Sequence, residues 1–143
     1  MQPYRWIVNG AMFGALGVLI GAFGAHGLEG NLKSLGYDDA QVERRLDLHE
    51  TAVRYQMYHA PALILVGLLA LRQRSKALST AGWLFMAGII IFSGLLYALV
   101  FAGDQWKWLG AIVPIGGIAL IAGWVMLGYS AKSVAKQNQP PAE

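Results

Sequence analysis

WIVNGAMFGALGVLIGAFGAHGL, Trp6 to Leu28, is the stretch whose reading decides the fold. From Trp6 to Ala25 it carries no charge, and Asn9 is its one strongly polar side chain. About twenty such residues cross roughly 30 Å of hydrocarbon as a helix. Gly10, Gly14, Gly17, Gly21 and Gly24 recur along it. At about 100° per residue they fall within roughly 80° of one another, forming one stripe. In water, each glycine would weaken a helix by about 1 kcal/mol relative to alanine. In lipid, small residues let a second helix approach closely, and van der Waals packing then holds the pair. The stretch therefore reads as a transmembrane helix, the central stave of a bundle, with polar His26 at its mouth.

The whole composition agrees. Of 143 residues, 56% are hydrophobic and 13% charged, against about 25% charged in globular chains. The chain has no cysteine, which removes disulfides, thiolate chemistry and cysteine-held metals or iron–sulfur clusters. The net charge of +3 comes from basic residues flanking apolar runs, not from a basic patch interleaved with aromatics, so nucleic acid is not an expected partner. A cleaved signal peptide starting at Arg5 is the rival account of the first stretch, but the apolar run is longer than a usual signal core.

Three further apolar segments follow. Together the crossings are expected at about residues 6–27, 53–71, 79–102 and 108–129. The expectation is an all-α integral membrane bundle of four transmembrane helices in a single domain, residues 1–131. A polar, proline-ended tail, residues 132–143, frays. The second crossing is short and starts with polar residues. Upstream of it, Asp38 and Gln41 have capping-box spacing, and DAQVERRLDLHETAVRYQMYH holds no breaker before Pro61. An extra amphipathic helical segment is thus expected from about Asp39, running along or above the headgroups into the second crossing. Pro61 cannot donate to the Met57 carbonyl, which predicts a kink near His59.

Orientation follows from basic residues. Arg72, Arg74 and Lys76 crowd one short loop, and Arg5, Lys132 and Lys136 share its side. Lys- and Arg-rich short loops stay cytoplasmic, so both termini are expected inside a bacterial inner membrane. Trp6 and Trp83 are expected to mark the inner interface, and Trp106 and Trp108 the outer one.

In that topology the polar residues of the crossings gather in the outer half of the bundle. They are His26, Tyr55, Gln56, His59, Ser93 and Tyr97, a candidate polar binding cluster. Buried polar groups in a membrane are costly unless paired, which marks each as a functional candidate. On the second crossing His49, Ala52, Gln56 and His59 share a face by their three- and four-residue spacing. Simpler roles compete: His59 and Gln56 as bonds to a neighbouring helix, His26 as a helix cap, Ser93 and Tyr97 as local bonds. Gly94, Pro114, Gly116 and Gly117 join the first-helix glycines as candidate packing positions.

Catalysis finds little footing. Ser93 has no carboxylate in its crossing, and no Ser-His-Asp set is suggested, so no catalytic residue is assigned. Neither a metal nor a cofactor is expected. Two histidines on adjacent helices could in principle hold haem or a metal in a redox protein, but no HxxxH or HxxE pair supports it. A small transporter or channel for an ion or hydrophobic molecule is the main alternative, although the four crossings lack the Asp or Glu that proton coupling usually needs. The leading expectation is a non-catalytic binding or assembly module. Its partners would be membrane lipid, another membrane protein or a second copy.

Four segments then bear a resemblance. GAFGAHGL at Gly21–Leu28, TAVRYQMYHA at Thr51–Ala60, FSGLLYAL at Phe92–Leu99 and LGAIVPIGGIALIAGW at Leu109–Trp124 resemble, in order, the motifs of the YgdD-like family. That is a domain of unknown function, family 423, of small four-helix inner-membrane proteins with relatives in eukaryotes. The family pattern falls on residues already singled out, from Gly21, Gly24 and His26 through Tyr55, Gln56 and His59 to Ser93, Gly94, Tyr97, Pro114, Gly116 and Gly117. The chain departs from it at Leu95 and Val113, where the family commonly has serine and threonine, and at Pro61, where it usually has an aliphatic residue. The resemblance implies a fold and a location and carries no assigned activity.

Overall fold

A computed structural model describes residues 2–73 and 75–137. Helix α1, Pro3–Phe23, is the opening stretch. It widens into a π-helical turn, Gly24–Leu28, and a short helix α2, Glu29–Ser34. Gly36, at φ +85°, reverses the chain; this left-handed backbone favours glycine because no Cβ crowds the carbonyl. Helix α3 then runs from Asp39 to Arg72. Its capping box forms as expected: the Gln41 N–H donates to Asp38 Oδ1 at 2.8 Å, and the Asp38 N–H donates to Gln41 Oε1 at 3.1 Å. Its thirty-four residues span about 51 Å at 1.5 Å each, so its Asp39 end projects past the end of the twenty-one-residue α1. The helix is continuous through Pro61.

Ser75 caps α4, Lys76–Phe101, by accepting from the Leu78 N–H at 3.1 Å. A 3₁₀ segment, Asp104–Ala111, leads into α5, Val113–Gln137. The fourth crossing was expected to be helical from residue 108, but residues 108–111 belong to the tighter 3₁₀ turn. Pro114 lies in the first turn of α5, where its missing N–H costs nothing. The helix also continues beyond residue 131 to Gln137; residues 138–143 of the tail lie outside the described residues.

Among the described residues the chain is all-helical. Three stretches are long and apolar enough to cross a membrane: Pro3–Ser34, Lys76–Phe101 and Gln105–Ala131. The helices pack in the order α1, α3, α4, α5. This corrects the place expected for α1, which is an outer element; α3 and α4 are the central ones. The core between them is apolar, built on Trp6, Leu63, Val66, Phe85, Ile89 and Leu120. Trp6 is likewise not an interfacial belt residue. It is 1% exposed, edge-on to Trp83 at 5.4 Å, and its ring fills the space left by Gly82 on α4. The faces turned away from this core are also apolar: Met12, Val18 and Leu19 on α1 and Ile118, Ile121 and Val125 on α5 are exposed. A water-soluble monomer rarely presents so much contiguous apolar surface, and lipid accepts it without cost.

The glycine stripe is graded rather than uniform. A Cβ at Gly10 would stand 2.7 Å from the Ala60 carbonyl oxygen, and one at Gly17 2.6 Å from Met57 Sδ. At Gly24 it would overlap the His49 ring, and at Gly21 it would lie 3.3 Å from Val53 Cγ1. At Gly14 it would meet nothing within 4 Å. Helical geometry accounts for the order. Relative to Gly10, Gly17 and Gly24 turn about 20° and 40° one way, and Gly21 and Gly14 about 20° and 40° the other. The line of contact with α3 follows the first side, so Gly14 is left on the open flank. Gly94 likewise meets nothing, and Pro114 is exposed, so neither packs as expected. Gly116 does: a Cβ there would stand 2.5 Å from the Phe92 backbone nitrogen, whereas Gly117 makes only ordinary contact at 3.6 Å. Gly67, Gly82, Gly88 and Gly123 are close-approach sites that the motifs did not single out.

Candidate functional site

The six expected cluster residues separate into two groups at different depths. Because α1 and α3 run antiparallel, Gly10 lies against Ala60, Gly17 against Gln56 and Gly24 against His49. His59 is therefore level with the first half of α1, whereas His26 lies beyond Gly24. At 1.5 Å per residue the two histidines are roughly 20 Å apart along the bundle. They do not meet, which corrects the single cluster and removes the histidine pair on which a haem or metal site was considered.

The deeper group is a set of ties between helices. Gln56 Nε2 donates to the Phe13 carbonyl at 2.7 Å, and the Tyr97 hydroxyl donates to Gln56 Oε1 at 3.0 Å. One amide thus links α1, α3 and α4, and it is 3% exposed. His59 Nδ1 lies 2.6 Å from the Tyr55 carbonyl; a carbonyl only accepts, so Nδ1 carries the proton. The His59 ring packs against Phe85 and Trp124 at 5.9 and 6.1 Å, and the Tyr55 ring stacks on Phe92 at 4.4 Å. Ser93 is buried, and its hydroxyl has no hydrogen-bond partner.

The second group surrounds His26 at the projecting end. The π-turn spreads the backbone where Gly24 makes room for His49, and a cleft of about 640 Å³ opens between this turn, α2 and α3. Wide turns of this kind recur at functional sites. His26, His49, Glu29, Lys33 and Glu50 line the cleft, and Gly21, Gly27 and Gly30 leave it open by presenting no side chain. His26 is exposed. His49 is 7% exposed, and its ring lies 5.8 Å from that of Tyr97. Its Nε2 has no hydrogen-bond partner. Lys33 Nζ donates to Glu29 Oε1 at 2.8 Å; that hydrogen bond and the charge behind it hold the Glu29 carboxyl below its ordinary pKa. Glu50 pairs with Arg54 one turn on.

His49 escaped the sequence reading as a site residue although its shared face with Gln56 and His59 was legible. The missing signal was Gly24, read as a packing position against a helix in general rather than as the seat of one imidazole. Arg45 was missed as well. Its Nη1 donates to the carbonyls of Leu99 and Val100 and its Nη2 to that of Ala102, so it caps the C-terminus of α4. The Tyr37 ring lies 3.7 Å beneath its guanidinium. A cation there offsets the negative end of the helix dipole and fastens the projecting part of α3 to the bundle. Among the described residues, no three of the His, Asp and Glu side chains converge as metal ligands.

A family model described as "Protein of unknown function (DUF423)" matches residues 20–117. The chain is 44% identical to the UPF0382 membrane protein SAB0533 of Staphylococcus aureus over 122 residues, 85% of this chain and 90% of that protein. It is 42% identical to the UPF0382 membrane protein YwdK of Bacillus subtilis over 127 residues, 88% of this chain and 94% of the other. No solved structure matches. With the family model covering most of its length and relatives this similar over nearly all of both chains, the protein belongs to the DUF423 family of membrane proteins of unknown function.

Proposed function

We propose that this protein is a non-catalytic binding or assembly module of the bacterial inner membrane, crossing four times with both termini in the cytoplasm. The second crossing is the inner part of α3, from about residue 53 to 71, which packs between the apolar helices α1 and α4. Its polar residues are tied to neighbours rather than free: Gln56 to Phe13 and Tyr97, His59 to Tyr55. The orientation rests on the positions in the sequence of Arg5, Arg72, Arg74, Lys76, Lys132 and Lys136, which flank the crossings on one side. The cleft at the π-turn then faces the outside.

The observation that carries the binding reading is that cleft, open, lined by two imidazoles and placed where the first helix leaves the hydrocarbon. Polar groups deeper in the bundle are committed to holding helices together; at the rim His26 is exposed. The reading predicts that protein extracted gently from its membrane retains a small molecule or lipid, seen as a mass adduct in native mass spectrometry. Gly30→Trp should abolish the adduct, because Gly30 borders the cleft and a side chain there meets nothing within 4 Å of its Cβ. A wild-type protein that never carries an adduct, or an adduct indifferent to Gly30→Trp, contradicts the reading.

A further inference from the structure

The projecting part of α3 carries opposite charges on opposite faces. At about 100° per residue, Gln41, Arg44, Arg45 and Leu48 fall within roughly 100° of one another, and Asp39, Glu43, Asp47 and Glu50 gather on the far side. The basic face borders a hollow of its own, about 280 Å³, between α3, the end of α4 and the 3₁₀ segment. Arg44, Arg45 and Lys107 line it, and among the described residues no carboxylate does. The negative end of α4 contributes about half a charge, and Asp104, three residues before Lys107, at most one, so three cations outweigh both. A concave site of one sign concentrates ligands of the opposite sign.

The hollow is built rather than merely basic. Arg45 is half-buried and held rigidly, by the carbonyls of Leu99, Val100 and Ala102 above and the Tyr37 ring below. Those carbonyls take three of its five N–H groups and leave two unused. They are neutral acceptors, so they do not cancel its charge as a carboxylate would. Among the described residues neither Arg44 nor Arg45 belongs to an ion pair, whereas Lys33 and Arg54 on the acidic side are both paired. A planar guanidinium with spare donors, fixed beside two more cations, matches the oxygens of a phosphate.

We infer that this hollow binds the phosphate of an anionic phospholipid headgroup, with Arg44, Arg45 and Lys107 as its counter-charges. The site is separate from the π-turn cleft and shares no lining residue with it. A lipid is favoured over a free phosphate by where the hollow lies. It opens at the end of the apolar helix α4, and the exposed rings of Trp106 and Trp108 flank Lys107. Such rings settle at headgroup level, so the hollow meets the layer where lipid phosphates are concentrated. A zwitterionic choline lipid offers the same phosphate but brings a quaternary cation, which three like charges disfavour.

The test follows thermal unfolding of the full chain in phosphatidylcholine nanodiscs carrying increasing fractions of phosphatidylglycerol, or in phosphatidylcholine alone with glycerol 1-phosphate in solution. Phosphatidylglycerol should raise the midpoint in a saturable way. Arg44→Gln and Lys107→Gln, both at exposed positions outside the core, should each weaken its apparent affinity about fivefold. Arg72→Gln removes the same charge from an exposed position at the other end of α3 and should respond as wild type does. Gly30→Trp, which fills the π-turn cleft, should also leave the response unchanged. If glycerol 1-phosphate reproduces the shift, the phosphate site stands and the lipid source is overturned. No shift with phosphatidylglycerol, Arg44→Gln binding like wild type, or an equal loss in Arg72→Gln overturns the site itself. A response lost in Gly30→Trp but kept in Arg44→Gln would move the lipid to the cleft, which sinks this inference and leaves the binding reading in place.

Discussion

Gly10→Leu should cost the protein about 3 kcal/mol, the upper end of what overpacking usually takes. The new Cβ would stand 2.7 Å from the Ala60 carbonyl oxygen and 3.0 Å from the Ile64 nitrogen. Both are backbone atoms of α3, so no side-chain rotation relieves the clash; the two helices must separate. Gly14→Leu, one turn along the same helix, should change stability by no more than about 0.5 kcal/mol, because its Cβ meets nothing within 4 Å. Gly21→Leu should fall between them, since only the tip of Val53 has to move. Reversible unfolding in detergent or bicelles measures the series. Equal losses at Gly10 and Gly14 would show that the α1–α3 seam does not run along the Gly10, Gly17 and Gly24 side of α1.

Gln56→Leu is the second large effect. The leucine keeps the volume and removes both hydrogen bonds, leaving the half-buried Tyr97 hydroxyl without its acceptor. Hydrogen bonds between membrane helices average about 0.6 kcal/mol, and an orphaned buried group costs about 1–3 kcal/mol. The sum points to a loss of about 2 kcal/mol. Tyr97→Phe should lose less, because Gln56 keeps its bond to the Phe13 carbonyl. In the double variant the losses should not add, since each change removes the same Tyr97–Gln56 bond. Strict additivity would mean that the pair is not coupled.

What was legible in the sequence, and what was not, divides along physical lines. Length and lack of charge mark apolar helices locally, so α1, α4 and α5 could be placed from composition. The Asp38–Gln41 capping box is a four-residue signal, and it formed as expected. The neighbour of each helix is not local information. The stripe on α1 announced close packing, but nothing in it said that its partner was α3 alone, or that Gly14 would fall on the open flank. The polar cluster failed for a related reason. Placing His26 and His59 at one depth treated helix ends as interchangeable, whereas α3 is much longer than α1 and carries His49, not His59, to the level of His26. Arg45 was hidden because its acceptors are main-chain carbonyls of α4, and main-chain atoms leave no trace in residue identity.

The central claim is that α3 crosses the membrane and carries the π-turn cleft to the outer face. Because the chain has no cysteine, single cysteines report it without background. Ser34→Cys lies beside the cleft, and Lys76→Cys opens α4 at the far end of α3; both positions are exposed. In sealed spheroplasts treated with a membrane-impermeant maleimide, Ser34→Cys should label at once and Lys76→Cys only after lysis. Labelling of both from the same side would mean that α3 does not cross.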